Sequence, residues 1–199
     1  YKVTPEIIKQ ALNRVGIVPY FYVGFAQGME NRSRLNKKIF FDGKLGIRIP
    51  WHLAAFAYAP IEMRSRIYGV YDEKYLKTMA GLFQKLGYSK GLVFHGVGGL
   101  CEESNIGLTK AVEFTKGAME EYSLDPYDMG IKKASYDDIK AVSAEQNITD
   151  FLRVLYGKET GPKRDIVLAN AAASLYALDA VSGMKDGVEL AKQVLQQGK

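Results

Sequence analysis

Between Ile67 and Phe94 the chain reads strand, helix, strand, and that succession limits the fold more than any other stretch. Ile67 to Tyr71 is a short β-prone run. Asp72 follows as an N-cap for a helix from Glu73 to Leu86, in which Tyr75, Met79, Leu82, Phe83 and Leu86 recur at helical spacing before Gly87 ends it. Leu92, Val93 and Phe94 then form a continuous apolar run, the signature of a buried strand. Two strands joined through a helix over so short a distance must pair in parallel, with a right-handed crossover. The expected fold class is α/β, a central mixed, largely parallel sheet flanked by helices.

The flanking stretches fit that plan. Thr4, Pro5 and Glu6 open a helix, with the threonine as cap and the proline in the first turn, and Gly16 closes it. Ile17 to Val23 reads as an edge strand, and Pro50 begins a helix that runs to Pro60. Ala111 to Thr115 and Met119 to Leu124 form a hairpin across Lys116 and Gly117. Three helices follow, over Ser143 to Tyr156, Pro162 to Leu178 and Gly183 to Gln197. The middle one carries Ala169, Ala171, Ala172 and Ala173, small residues that let neighbours approach closely, so it is expected at the centre of the packing.

A chain of 199 residues with 47% hydrophobic and 25% charged residues suits one globular domain over 1–199, and excludes disordered and fibrous classes. Its one cysteine, Cys101, allows no internal disulfide, which favours a reducing, cytoplasmic setting. Its longest weakly polar run, Ile49 to Ile61, is too short to span a bilayer. Of the net charge of +5, the window from Arg32 to Arg66 holds eight basic residues against Asp42 and Glu62. If Arg32, Arg34, Lys37 and Lys38 share a face, that face attracts phosphates or nucleic acid; the plain alternative is a solvated connection.

The chemistry is expected where the central strand ends. From Lys90 to Ser104 the strand runs into His95, glycines at 96, 98 and 99, and then Cys101, Glu102 and Glu103. Backbone can approach a ligand closely at such glycines, and loop carboxylates suit Mg²⁺, which takes one or two protein oxygens and completes its shell on water and phosphate. His95 with Cys101 also reads as a nucleophile and base, against the plainer alternative of an inert cysteine. Trp51, His52 and Phe56 read either as the wall of a pocket for a flat substrate or as ordinary core.

Taken in order, these segments resemble the C-terminal α/β domain of the anthranilate phosphoribosyltransferase family, itself related to pyrimidine nucleoside phosphorylases. Thr4-Pro5-Glu6 through Gly16-Ile17 is similar to the family's helix leading into its GI-F-F strand. Leu45-Gly46-Ile47-Arg48 is similar to LGIRT, and Ile67 to Tyr71 to LVGVY. Val93-Phe94-His95-Gly96 with Gly99-Leu100-Cys101-Glu102 resembles VVHG followed by GLDE, and Tyr122 to Pro126 and Ala169 to Tyr176 extend the likeness. The resemblance implies transfer of phosphoribosyl from phosphoribosyl pyrophosphate to an aromatic acceptor, with Mg²⁺ balancing the leaving diphosphate. It implies His95, Gly96, Ala55 and Phe56 against substrate and Glu102, with Glu103, at the metal. It also implies a helical domain preceding Tyr1, through which family members pair as homodimers.

The departures are specific. The family's Asp-Glu pair falls on Cys101 and Glu102, and a thiol is a poor ligand for Mg²⁺. The family's acceptor-binding histidine and arginine fall on Arg32 and Asp42, and its Gly-Pro on Ala55 and Phe56. The alternative is a paralogue that has lost catalysis and binds nucleic acid through residues 32–66.

Overall fold

The computed structural model describes residues 4–19 and 59–198 together with Leu53 and Ala57. The chain divides into two compact units, Tyr1–Met63 and Arg64–Lys199. In the first, α1 spans Pro5–Val15 as expected: the Thr4 hydroxyl accepts the Ile7 N–H, and Gly16 turns into the left-handed region at φ 79° to end the helix. Leu53 and Ala57 are buried helical residues, in keeping with the helix expected from Pro50. The strand expected over Ile17 to Val23 and the LGIR segment extend into, or lie wholly within, residues outside those described.

The second unit is built on a four-stranded sheet of order β1-β2-β3-β4. β1 (Ser65–Gly69) and β2 (Lys90–Gly96) run parallel, with Ile67 opposite Leu92. β3 (Thr109–Thr115) and β4 (Met119–Leu124) continue the sheet antiparallel, the latter pair as the expected hairpin. The sheet is mixed and flanked by helices as expected, but among the described strands parallel pairing is confined to β1 and β2. After β3 the reason is a three-residue turn, which can only return the chain antiparallel, and after β2 it is a loop that holds no crossover α-helix.

One helix joins the parallel pair. Asp72 accepts the Lys74 N–H at 3.1 Å, a single 3₁₀ turn covers Glu73–Tyr75, and α2 runs Leu76–Lys85. It lays Met79, Ala80 and Phe83 against one face of the sheet, where Phe83 stacks on Phe114 of β3 at 5.9 Å and meets Tyr68 edge-on at 5.2 Å. Gly91 makes this layer possible, since a Cβ there would lie 2.1 Å from the Arg66 carbonyl oxygen and 2.5 Å from the Phe114 ring.

The other face is covered by helices from the end of the chain. α3 (Tyr136–Ile139) is a single turn with a capping box between Ser135 and Asp138. It is followed by α4 (Ala144–Leu155), α5 (Pro162–Ala177) and α6 (Met184–Gln197). Ala173 of α5 joins Leu92, Phe94 and Ala111 of the sheet in one buried cluster, while Leu168, Ala169 and Ala172 join Val188 and Ala191 of α6 in another. Gly187 permits the close crossing of α5 and α6, because a Cβ there would sit 2.8 Å from the Ala172 Cα. The expected central role of the alanine-rich helix is thus observed.

A polar cluster ties the end of α5 to the start of β2. The Lys90 ammonium lies 2.8 Å from the Asp179 carboxylate, donates to the Tyr176 carbonyl and sits 4.1 Å from the Tyr176 ring centre. Tyr176 in turn donates to Glu113 of β3 at 2.9 Å. The Lys90 hydrogen bond and charge hold the Asp179 carboxyl below the usual range.

Gly91→Ala is expected to cost roughly 1–3 kcal/mol of stability in urea unfolding, because backbone and a packed ring must both shift. Gly117→Ala, where a Cβ would meet nothing within 4 Å, is expected to be close to neutral in the same assay.

Candidate functional site

The loop after β2 is folded back over the C-terminal ends of the parallel strands, the edge at which open α/β sheets bind their ligands. Gly96 donates its N–H to the Leu100 carbonyl at 2.8 Å across a 3₁₀ turn, Val97–Gly99, and Gly98 and Gly99 take left-handed conformations at φ 77° and 85°. A Cβ on Gly69 would lie 1.8 Å from the Cys101 carbonyl oxygen, and one on Gly96 would lie 2.5 Å from that of Glu102. Glycine at these two positions lets the loop backbone lie directly on the strand ends. Half-buried His95 donates from Nδ1 to the Val70 carbonyl at 2.9 Å, so its other ring nitrogen is the acceptor in the neutral form.

Asn170, on α5, holds the loop from the other side. Its Oδ1 accepts the Glu103 N–H at 2.9 Å, and its Nδ2 donates to the carbonyls of Glu103 and Ile166, both at 2.9 Å. The next residues are fixed in the same manner: Ser104 N–H donates to the Thr109 hydroxyl, and Asn105 donates from Nδ2 to the Pro162 carbonyl. Sequence reasoning missed Asn170, because it lies 67 positions away and reads locally as one polar residue in an alanine-rich helix.

The two neighbouring glutamates have opposite fates. Glu102 is exposed, whereas Glu103 is wholly buried, with neither carboxylate oxygen hydrogen-bonded to any described residue. Burial pushes the Glu103 carboxyl from an ordinary 4.5 up to about 8. Adjacent residues of an extended loop point to opposite sides, and the Asn170 clamp fixes which one goes inside. As folded, the Glu103 carboxylate is therefore not offered to a solvated cation. No group of three or more His, Cys, Asp or Glu able to hold a metal occurs among the described residues. Of the two loop glutamates, Glu102 is the one whose side chain is exposed.

Glu102 and Leu100 border a cleft of about 420 Å³ whose other walls come from α3, α4 and α5. Tyr136, Phe151 and Ile166 give it apolar surface, and Lys140 and Lys163 line it, the latter paired with Asp150. These residues come from segments spread over Leu100 to Val167, so no local pattern in the sequence marks them. Ala55, Phe56, Arg32, Arg34, Lys37 and Lys38 lie outside the described residues.

Two outcomes are expected from this geometry. Asn170→Ala removes the partners of a buried amide and carbonyl; it should cost about 2 kcal/mol or more and speed hydrogen exchange at the Glu103 amide, as read by NMR. Glu103 keeps its proton in the folded chain over a range in which the unfolded chain has lost it. Its contribution to stability is thus complete below pH 4.5 and falls away as pH rises to about 8. The urea midpoint should drop across that window, a change on the order of a few kcal/mol, and Glu103→Gln should remove that part of the drop.

Among solved structures, the fold is similar to anthranilate phosphoribosyltransferase from Thermus thermophilus, with a TM-score of 0.70 and 33% identity over 79% of this chain and 46% of that one. It is also similar to a Saccharomyces cerevisiae anthranilate phosphoribosyltransferase variant in complex with 4-fluoroanthranilate, with a TM-score of 0.80 at 21% identity over 99% of this chain and 55% of that one. In sequence, anthranilate phosphoribosyltransferases of Clostridium beijerinckii and Petrotoga mobilis are 33% and 29% identical over 94% and 98% of this chain. The chain spans about half the length of these relatives, 53% and 55%. The model of the glycosyl transferase family, a/b domain, matches residues 1–199, and the chain belongs to that family.

Proposed function

We propose that this chain forms part of a phosphoribosyltransferase that uses phosphoribosyl pyrophosphate and Mg²⁺, with an aromatic acceptor. In that reaction the bond from the anomeric carbon to the diphosphate breaks, and a bond from that carbon to the acceptor's nucleophilic atom forms. The observation that carries the reading is the exposed Glu102 on a clamped loop at the strand ends, in a chain matched by the family model throughout. A Saccharomyces cerevisiae relative of the same fold has been solved in complex with phosphoribosyl pyrophosphate and Mg²⁺.

In this reading Glu102 would supply a carboxylate oxygen to Mg²⁺, and the ion when bound would balance charge on the departing diphosphate. The backbone of residues 96–102 lines the approach, and Glu103 acts from below by fixing the loop rather than by touching substrate. His95 and Gly96 border the donor side. Cys101 stands where the resemblance places the family's aspartate, so fewer protein oxygens would be available to hold the metal. A cytoplasmic setting accompanies this chemistry; no helix among the described residues is long and apolar enough to cross a membrane. Neither the described residues nor these relatives support the nucleic-acid alternative for the 32–66 segment.

Calorimetric titration of phosphoribosyl pyrophosphate into the natively produced full-length protein tests the proposal. Binding that requires Mg²⁺, and weakens roughly tenfold or more in Glu102→Gln, is expected. Absence of binding with the metal present would remove the transferase reading.

A further inference from the structure

The cleft bordered by Glu102 has nearly all of its charge already spent. At about 420 Å³ it has the size of a site for a small organic molecule. Two lysines line it, and each has its own aspartate: the Lys163 ammonium is paired with Asp150, and that of Lys140 lies 2.7 Å from Asp137. Asp150 is further engaged by the Gln146 amide at 2.8 Å. Glu102 is the exception, since its exposed carboxylate makes no hydrogen bond or ion pair with any described residue. Two aromatic rings stand open in the same cleft, Tyr136 of α3 and Phe151 of α4, each 61% exposed.

One uncommitted carboxylate beside two open rings is the chemistry that recognises an ammonium group. The carboxylate meets its charge and its N–H donors, and the ring faces carry the negative part of their quadrupole. An organic anion is disfavoured, because it would have to displace an aspartate from a lysine and settle beside Glu102. We infer that this cleft binds a small organic ammonium ion with a flat apolar body, the ammonium on Glu102 and the body against Tyr136, Phe151 and Ile166. Glu102 is also the carboxylate that meets Mg²⁺ in the proposed function. An ammonium ligand there excludes the metal and acts as an inhibitor, a consequence that, unlike the binding itself, rests on that reading. By linkage each cation weakens the other by the same factor.

Saturation-transfer NMR with the full-length protein and phenethylamine, a flat body carrying one ammonium, tests the binding in the absence of metal. A saturable signal is expected, with affinity reduced roughly fivefold in Glu102→Gln and roughly threefold in Phe151→Ala. Phenylpropionate, which has the same ring and the opposite charge, should give no signal. Both variants alter exposed side chains, and an unchanged unfolding midpoint confirms that they are folded. Phosphoribosyl pyrophosphate with Mg²⁺ should then raise the apparent dissociation constant of the amine in the unaltered protein. No saturable signal, equal affinity in Glu102→Gln, or phenylpropionate binding as tight as that of the amine would each overturn the ammonium site. Amine binding that needs Glu102 yet is untouched by the Mg²⁺ complex upholds the site and contradicts the metal reading of Glu102 instead.

Discussion

The Glu103 peptide, held through both its N–H and its carbonyl by the side chain of Asn170, is the contact on which the functional end of this protein depends. A loop that crosses strand ends leaves backbone groups unpaired, and burying them unpaired would cost more than the loop gains by packing. One asparagine answers both groups and adds a bond to its own helix at Ile166. Helix α5 thereby becomes the reference against which the loop is positioned. Its alanines set that reference close to the sheet on one side and to α6 on the other.

From this clamp the alternation of the two glutamates follows. The peptide can be gripped in one orientation, and that orientation sends the Glu103 side chain inward and leaves Glu102 outside. A carboxyl with no partner in the interior is destabilising when ionised, so the fold carries a proton there up to an unusually high pH. Glycines 69 and 96 complete the arrangement from below, because any side chain at either position would lift the loop off the strands. Several small residues and one amide thus decide which of two chemically identical side chains can meet a ligand.

Much of the fold is legible in the sequence because its signals are local. Caps at Thr4 and Asp72, the helical periodicity before Gly87 and the hairpin turn at Lys116-Gly117 each sit within a few residues of what they specify. Glu102 is legible as an exposed loop carboxylate for a similar reason. The inward turn of Glu103 is not, since it depends on Asn170, and the cleft is not, since its walls meet only after α3, α4 and α5 have packed. The largely parallel sheet was inferred from one strand-helix-strand unit, whereas the described strands beyond it return antiparallel through a loop without a crossover α-helix and a hairpin turn.

The loop's scaffold is enforced by the packing of its backbone against Gly69 and Gly96, which does not depend on the side chain at Cys101. The account therefore rests on the loop being pinned with Glu103 inside. A carbon-13 NMR titration of the glutamate side-chain carboxyls, with Glu103→Gln to assign the resonance, measures this directly. The account predicts a Glu103 midpoint near 8. A midpoint at the ordinary 4.5 would mean that the carboxylate reaches water, and that the loop is not held as described.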